Sequence, residues 1–336
     1  ARLIFLGDPD QLASVEAGAV LGDICAGLSP EKPRFSQTFA STLTELGGMN
    51  LLDHCKIQDE AGVWDSVVQL TKTWRFGTDT GIGRLAAAVR QGNIDAALAE
   101  LEPDKNADLA LYAPSEDSTL FDQPLPANLL QTIIQAYAPA VQAALEGDPA
   151  QALEHLSRLR VMSAHRKGPL GLHSLNQHLA SALAEALPDL NPGPAPWLGQ
   201  PILIRENDPH LDLRNGQIGI LVRAPEGSQG LVAAFRDGKG PIRKIGISRL
   251  PRFESMLCMT IHQSQGSQFD HAVLILPTRS SPILTRELIY TGITRAKESV
   301  SILSSKPILA EAIQAQVQRA SGLPAELWHT LTPAPE

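Results

Sequence analysis

The chain has 336 residues, of which 43% are hydrophobic and 19% are charged, so it is ordinary globular material with room for two domains. The net charge of −8 argues against a protein that coats nucleic acid with a broad basic surface; a bound strand would have to be held locally, in a groove. The apolar runs are too short to span a membrane and the three cysteines are scattered, so we expect a cytoplasmic protein with neither a membrane contact nor a metal site.

The chain opens with a short apolar run at residues 2–6 that ends in Gly7 and Asp8. Such a run predicts a buried parallel strand that leads into a functional loop. A central strand is an unusual place for a natural protein to begin, so we expect this sequence to be part of a longer protein.

Residues 78–190 carry mainly helical patterns. We predict helices over residues 78–90, 94–101 and 127–145, and a further helix that Asp148 caps and Pro149 begins. Strands are predicted over residues 109–113 and 161–164. Together these elements indicate an α/β domain.

A stretch rich in proline and glycine at residues 191–197 marks a change of pattern. Short strands then alternate with turns over residues 201–205, 217–222, 231–235 and 242–247, which predicts a small β-barrel inserted into the α/β domain. The α/β pattern resumes with predicted strands near residues 256–260, 272–276 and 300–303, and with a helix over residues 285–298.

Four segments carry side chains suited to nucleotide or nucleic-acid chemistry. In the first, residues 6–12, Asp8 and Gln11 follow a strand end, which is where open α/β sheets bind ligands. A glutamine there can hydrogen-bond a γ-phosphate and the attacking water, and an aspartate can orient metal-bound water or a partner arginine. Alone, the pattern is equally compatible with a plain turn.

The second segment, residues 70–76, places Arg75 between Trp74 and Phe76. A planar guanidinium held in a stiff apolar wall suits the oxygens of a transferring phosphate. Alone, however, an arginine stacked on an aromatic ring for packing explains the pattern better.

The third segment, residues 259–270, crowds polar side chains into a turn between a strand and a predicted helix, and this turn also carries Gly266. Burying so many hydroxyl and amide groups is costly unless each has a partner, and phosphate oxygens with a helix N-terminus provide such partners. A solvated loop does not explain why the segment lies between two apolar runs. This is the strongest local signal in the chain.

The fourth segment, residues 288–297, is predicted to be helical. Leu288, Thr291 and Arg295 fall near one helical face, and Gly292 permits a close approach of backbone. Arg295 can reach across an interface to a nucleotide from this position. By itself, an ordinary surface helix explains the segment better.

Together, and in this order, the four segments resemble the later motifs of the superfamily 1 DNA helicases. The matching elements are Gly-Asp-x-x-Gln-Leu at 7–12, Trp-Arg-Phe at 74–76, Thr-x-His-x-Ser-Gln-Gly-Ser at 260–267 and Tyr-Thr-x-x-Thr-Arg-Ala-Lys at 290–297. The version here is most similar to the RecD family, the alpha subunits of exodeoxyribonuclease V. Residues 12–18, 161–171 with Asn176, and 215–219 support that choice.

The resemblance implies four parts of the chain. Residues 1–40 would be the C-terminal remnant of a first RecA-like motor domain. Residues 41–197 and 254–330 would form a second RecA-like domain of the P-loop NTPase type, with a parallel sheet. Residues 198–253 would be an inserted SH3-like β-barrel.

The resemblance also implies one set of nucleotide contacts and one set of DNA contacts. The predicted nucleotide contacts are Asp8, Gln11, Arg75, Gly266 and Arg295. Among these, Gln11 would sense the γ-phosphate, and Arg75 and Arg295 would act as catalytic arginine fingers. The predicted DNA contacts are Thr260, His262, Ser264, Asn207 and Asn215. For His262 an ordinary hydrogen-bonded loop histidine remains an alternative.

The sequence departs from the family in one respect. It contains no Gly-x-x-x-x-Gly-Lys-Ser/Thr loop and no strand ending in an Asp-Glu pair, the elements that hold the phosphates and Mg²⁺ of ATP. Because both elements normally precede the one at residues 7–12, we expect them upstream of residue 1. This chain alone is therefore expected not to hydrolyse ATP.

The expected function is the C-terminal part of an ATP- and Mg²⁺-dependent 5′-to-3′ DNA helicase subunit. The resemblance implies RecB- and RecC-like partner subunits, single- and double-stranded DNA as substrate, and a role in double-strand-break repair and recombination. Two alternatives stay open: a standalone RecD-like helicase, and a DNA- or partner-binding module that never hydrolyses ATP. Any nuclease activity would belong to a partner.

Overall fold

The computed structural model describes residues 3–12, 20–28, 33–47, 55–70, 77, 79–114, 124–193, 196–225, 230–238, 240–317 and 323–328. The chain divides into two compact units. The smaller unit consists of residues 1–74 and 317–336, and the larger of residues 75–316.

The secondary structure of the described residues alternates between helices and strands. The helices are α1 (Val20–Cys25), α2 (Gln37–Gly47), α3 (Gly81–Gln91), α4 (Ile94–Glu100), α5 (Ala127–Leu145), α6 (Pro149–Arg158), α7 (Leu172–Ala186), α8 (Arg286–Ile293), α9 (Lys306–Gln314) and α10 (Leu323–Trp328). The strands are β1 (Arg34–Ser36), β2 (Lys56–Gln58), β3 (Leu109–Tyr112), β4 (Leu159–Ser163), β5 (Pro201–Ile204), β6 (Ile218–Arg223), β7 (Leu231–Arg236), β8 (Ile242–Gly246), β9 (Phe253–Ser255), β10 (Cys258–Thr260), β11 (Phe269–Ile275) and β12 (Ala296–Leu303).

The larger unit is built on a five-stranded parallel sheet in the order β10-β4-β11-β12-β3. β4 is buried along its whole length and β11 over its last four residues, as inner strands of a covered parallel sheet require. β4 lies between β10 and β11, and its last residue, Ser163, is level with Thr260 on one side and Ile275 on the other. The α/β fold with a parallel sheet that the sequence predicts is confirmed.

Two groups of helices pack on this sheet, and the helices within each group also contact one another. The first group consists of α3, α4, α8 and α9, and the second of α5, α6 and α7. Their ends follow from local sequence. The Thr80 hydroxyl caps α3, and the Asp148 carboxylate accepts hydrogen bonds from two backbone N–H groups at the start of α6. Gly92 ends α3 with a φ of 70°, a conformation that favours glycine. The helices predicted over residues 78–158 are confirmed with small shifts of their ends.

Between α7 and β10 the chain forms a five-stranded antiparallel sheet in the order β8-β7-β6-β5-β9, which we call the inserted sheet. One face buries Ile202, Leu221 and Phe235 in a core of its own. In a second buried cluster, Ile220 of β6 packs against the small side chains of Ala144 in α5 and Ala152 in α6. Small residues let the helices approach the sheet closely, so this contact fixes the inserted sheet on the α/β core.

The smaller unit is held by one pair of short strands, a small buried cluster and a contact between the two ends of the chain. β1 pairs with β2 in parallel, and Phe35, Ala40 and Cys55 form a buried cluster beside them. The indole N–H of Trp328 in α10 donates to the backbone oxygen of Asp23, 3.3 Å away, which joins the two ends of the chain within this unit.

The strand predicted at residues 2–6 is not formed over the described residues 3–6. Leu3, Ile4, Phe5 and Leu6 are between 64% and 91% exposed. A central parallel strand needs hydrogen-bonded neighbours on both sides, and no described strand pairs with this segment. The prediction of a buried strand is therefore wrong for residues 3–6.

Two predictions near the end of the larger unit are wrong in extent. The helix predicted over residues 285–298 ends at Ile293, because from Ala296 the chain pairs in parallel with β11. The turn at residues 259–270 was predicted to lead into a helix, but it contains one 3₁₀ turn and then becomes β11. Within the described residues, no helix has the length and apolarity needed to cross a lipid bilayer.

Asn176 of α7 ties the inserted sheet to the parallel sheet. Its amide nitrogen donates to the backbone oxygens of Leu172 and Cys258, 2.8 and 2.9 Å away. Its amide oxygen accepts from the N–H groups of Leu257 and Cys258, at 2.8 and 3.1 Å, and from the Ser255 hydroxyl at 3.2 Å. One buried side chain thus satisfies the backbone where the chain leaves β9 and enters β10.

Asn176→Ala is expected to lower the free energy of unfolding by about 2–3 kcal/mol, because it leaves buried backbone donors and an acceptor unpaired. Chemical denaturation followed by circular dichroism measures the change. The exposed Asn191→Ala is the matched control and should change stability by less than about 0.5 kcal/mol. Equal losses in the two variants would contradict the assigned role of Asn176.

Candidate functional site

The third predicted segment runs the length of the parallel sheet. Thr260 ends β10 at the level of the last residue of β4. Phe269 begins β11 beyond the level of Leu159, the first residue of β4. Residues 261–268, which we call the crossing segment, therefore pass from the carboxyl edge of the sheet to its amino edge. The DNA contacts predicted here lie toward the first edge, and the nucleotide contact Gly266 toward the second.

At the carboxyl edge, the hydroxyl groups predicted to face DNA are used within the protein. Thr260 is only 6% exposed, and its N–H and hydroxyl both donate to the side-chain oxygen of Gln263, at 2.8 and 3.0 Å. The buried Ser264 hydroxyl donates to the backbone oxygen of Ile261 at 2.7 Å. These bonds hold the 3₁₀ turn, in which the His262 side chain is half-buried. The predicted contacts of these residues with DNA stay predictions.

Glu254 of β9, which the sequence analysis did not single out, joins this turn to two other loops. Its carboxylate accepts from the amide nitrogen of Gln263 at 2.6 Å. It also pairs with Arg166, in the loop after β4, at 3.0 Å and with Arg205, after β5, at 3.6 Å. No single sequence motif contains all of these residues together. They are brought together only by the pairing of β5 with β9 and of β10 with β4.

A cavity of about 400 Å³ opens at the same edge between the loops that follow β4 and β11. Lys167, Thr278 and Arg279 line it with two positive charges and a hydroxyl. Burial lowers the pKa of the His165 imidazole, so this side chain adds no positive charge near neutral pH. The cavity and its basic lining favour an anionic ligand at the carboxyl edge.

At the amino edge, the crossing segment meets Arg295. Gly266 is exposed, with a φ of 80°, and a Cβ there would have nothing within 4 Å. Arg295 is only 2% exposed, and its guanidinium donates to the backbone oxygens of Thr291 and Ser267, at 3.0 and 3.3 Å, and to the hydroxyl of Thr294. Gly266 and Arg295 therefore lie at the same edge of the sheet, and their contacts with a nucleotide stay predictions.

The burial of Arg295 has a physical cause in α8. This residue follows the C-terminus of the helix, where a guanidinium is stabilised by unpaired carbonyl groups. The helix lies close to β11, since a Cβ on Gly292 would come within 2.4 Å of the Leu274 side chain. The close approach predicted for Gly292 is therefore confirmed, whereas the role of Arg295 as an arginine finger stays a prediction.

Asp8 and Gln11 lie in the smaller unit and form one turn. The Gln11 amide nitrogen donates to a carboxylate oxygen of Asp8 at 2.8 Å, and the backbone N–H of Asp10 donates to the other at 3.0 Å. This turn holds the two polar side chains together, as the motif requires. Arg75 lies outside the described residues.

Asn207 and Asn215 are brought together on the inserted sheet. The backbone N–H of Asn215 donates to the side-chain oxygen of Asn207 at 2.8 Å, and both residues are exposed. They follow Arg205 in the chain, so they lie at the end of β5 that also meets Glu254. Their contact with DNA stays a prediction.

Comparisons with known proteins give the class of this fold. A family model described as the UvrD-like helicase C-terminal domain matches residues 255–303, which include β10, the crossing segment, β11 and α8. The larger unit therefore has a helicase-like α/β fold.

Individual relatives identify the family more specifically than the domain model does. The RecBCD enzyme subunit RecD of Mycobacterium tuberculosis is 36% identical over 335 residues, covering 98% of this chain and 49% of the relative. RecD of Mycolicibacterium smegmatis is 35% identical over 324 residues, covering 96% and 48%. The predicted resemblance is confirmed: this chain is a homologue of the RecD subunits along nearly its whole length. It spans about half the length of these curated relatives.

A solved structure, the Pif1 helicase from Candida albicans, shares 11% identity at a TM-score of 0.39 and covers 84% of this chain and 65% of that chain. A TM-score of this size carries no argument about fold or function.

Arg295→Ala is expected to lower the free energy of unfolding by roughly 2–4 kcal/mol, because it removes a buried charge together with three hydrogen bonds and leaves a cavity. Thermal and chemical denaturation measure the loss. Lys297→Ala is the matched control, since Lys297 is a nearby cation in a half-exposed ion pair with Asp270, and should change stability by less than about 1 kcal/mol. A wild-type stability for Arg295→Ala would contradict the contacts described for this side chain.

Proposed function

We propose that this chain is the part of an ATP-dependent 5′-to-3′ DNA helicase subunit that closes on the nucleotide and holds single-stranded DNA. The observation that carries the proposal is the crossing segment, which links the Thr260–Gln263 turn at one edge of the sheet to Gly266 and Arg295 at the other. A single short segment with one end at each site is what a motor needs if nucleotide hydrolysis is to change the grip on DNA.

The protein is proposed to work in a RecBCD-like complex with RecB- and RecC-like subunits, in double-strand-break repair and recombination. The homology to RecD subunits over 96–98% of this chain supports this assembly. An acidic chain with several basic side chains at the carboxyl edge of its sheet fits a subunit that contacts DNA in a groove.

We assign residues 41–197 and 254–330 to a second RecA-like motor domain and residues 1–40 to the end of a first one. The inserted sheet, whose strands cover residues 201–255, would be the SH3-like barrel placed at residues 198–253. The support for this division is topological, because α7 precedes the inserted sheet and β10 resumes the parallel sheet directly after it.

ATP with Mg²⁺ would supply the phosphoanhydride bond and the counter-charge for its hydrolysis. The residues at the amino edge fit a nucleotide, since the exposed Gly266 offers backbone that no side chain covers. In the described part of the chain, no group of three or more His, Cys, Asp or Glu residues could hold a metal ion.

Arg295 would act only after a local rearrangement. In the described state its guanidinium is buried against Ser267 and Thr291, so contact with a phosphate requires it to leave the backbone oxygen of Ser267. Because Ser267 belongs to the crossing segment, that step would also loosen the segment. Gln11 and Asp8 would orient the attacking water, and Arg75 would supply the second guanidinium.

The protein is expected to bind oligothymidylate with an affinity that falls as salt rises, with a slope of about −0.7 for each phosphate contacted. His262→Ala should weaken binding roughly fivefold through the loss of one base or phosphate contact. Fluorescence anisotropy with a labelled strand measures both effects. His155→Ala, on α6 before the amino end of β4, is the control and should bind as the wild type does. Salt-independent or absent binding would contradict the DNA-binding assignment.

The chain alone is expected to show no DNA-stimulated ATP turnover, because its sequence contains no phosphate-binding loop. In a protein that carries this chain together with such a loop, Arg75→Ala and Arg295→Ala should each reduce turnover by roughly a thousandfold or more. A coupled phosphate-release assay measures the rate, with Lys297→Ala as the control. Turnover that survives either arginine change would remove the finger role from that residue.

A further inference from the structure

Three side chains from three separate loops converge on one carboxylate at the carboxyl edge: two donate hydrogen bonds to it, and the third, Arg205, pairs with it as an ion pair. Arg166 comes from the loop after β4, Arg205 from the loop after β5, and Gln263 from the crossing segment. Two guanidinium groups and an amide around two anionic oxygens are the donor set that proteins use for a phosphate. Here Glu254 supplies those oxygens.

The orientation of the Gln263 amide is fixed by its other contacts. The backbone N–H of Thr260 can only donate a hydrogen bond, so the side-chain atom of Gln263 that lies 2.8 Å from it must be the oxygen. The amide nitrogen therefore points at Glu254, 2.6 Å away, whatever occupies the position of that carboxylate. The donor is preorganised by Thr260 and does not depend on Glu254 for its direction.

The three charged side chains remain open to solvent. The side chains of Arg166, Arg205 and Glu254 are 45%, 28% and 23% exposed. Ion pairs in such a setting are weak, so a competing anion can take the place of Glu254 at little cost. The cluster carries one net positive charge with Glu254 bound, and Lys167, the residue after Arg166 in the same loop, lines the basic cavity together with Arg279.

A second carboxylate in the larger unit has similar partners but a different origin. Glu100 contacts Arg84 at 2.8 Å, Lys105 at 3.1 Å and the Asn106 amide at 3.0 Å. Asn106 also donates to the backbone oxygen of Glu100, so this cluster closes the local α3–α4 corner. The partners of Glu254 instead join distant loops at the edge where the DNA contacts are expected.

We propose that Arg166, Arg205 and Gln263 form a binding site for one backbone phosphate of single-stranded DNA, and that Glu254 occupies this site when no strand is bound. The inference rests on the DNA-binding function proposed above and adds to it a residue that lowers affinity. Entry of the phosphate frees Glu254, and the Gln263 amide, which Thr260 holds in place, then donates to the phosphate instead.

Binding of a labelled oligothymidylate to the purified protein, measured at several salt concentrations, tests the site. Glu254→Gln keeps the shape of the side chain and removes the competing charge, so it should bind roughly two- to fivefold more tightly. Arg205→Gln should bind several-fold more weakly and lower the salt slope by about 0.7, the value for one lost phosphate contact.

Glu100→Gln and Arg84→Gln are the matched controls, because they remove the same charges from a carboxylate held by two cations and an amide elsewhere. Both should bind within about 1.5-fold of the wild type. Equal tightening in Glu254→Gln and Glu100→Gln would mean that only net charge matters, and it overturns the proposal. If the wild type binds the strand but Glu254→Gln binds it no more tightly, the proposal is overturned as well.

Melting temperatures show whether each variant folds. If Glu254→Gln is unstable, Glu254→Asp withdraws the carboxylate from both arginines while keeping its charge, and should still tighten binding, by less. No tightening in either variant overturns the site. A wild type that does not bind the strand removes the DNA function itself, which is distinct from a failure of Glu254 alone.

Discussion

The parallel pairing of β4 with both β10 and β11 is the constraint on which the site depends. Because the two outer strands run in the same direction, the chain that leaves β10 must return along the sheet before β11 begins. The offset in register is six residues, or about 20 Å along the strands. The crossing segment has eight residues, which reach roughly 28 Å when extended, and three of them lie in a 3₁₀ turn. Little slack is therefore left in the crossing segment.

The inserted sheet takes part in this arrangement through side chains rather than through sheet continuity. Asn176 satisfies the backbone of Leu257 and Cys258 and accepts from the Ser255 hydroxyl, and this fixes where β10 starts relative to β9. Glu254 then lies beside the 3₁₀ turn because it is in β9, only four residues before β10. The inserted sheet therefore adds one carboxylate and one guanidinium, Arg205, to an edge that otherwise belongs to the parallel sheet. Its packing on α5 and α6 keeps both groups in place.

The sequence predicted what depends on local pattern. The helices at residues 81–158 and the strands of both sheets other than β9 follow from periodicity, caps and turn residues. The buried strand at residues 3–6 was wrongly predicted, because an apolar pattern alone does not show whether neighbouring strands are present to pair with it. The helix that ends at Ile293 was drawn too long because Ala296, Lys297 and Glu298 suit a helix locally, while pairing with β11 decides their conformation. The Glu254 cluster had no signal, since residues 166, 205, 254 and 263 meet only through tertiary pairing.

The net charge of −8 is compatible with a DNA contact that is confined to the carboxyl edge of the parallel sheet. A protein that is repelled by DNA over most of its surface gains little from long-range attraction, so its binding depends on a few directed contacts. In the proposed site, one backbone phosphate would have to displace Glu254, which is already bound there. The affinity of that site would then be low, and the strand could be released when the crossing segment shifts. A motor that steps along DNA needs such release as much as it needs a grip, and a permanently open pair of arginines would provide only the grip.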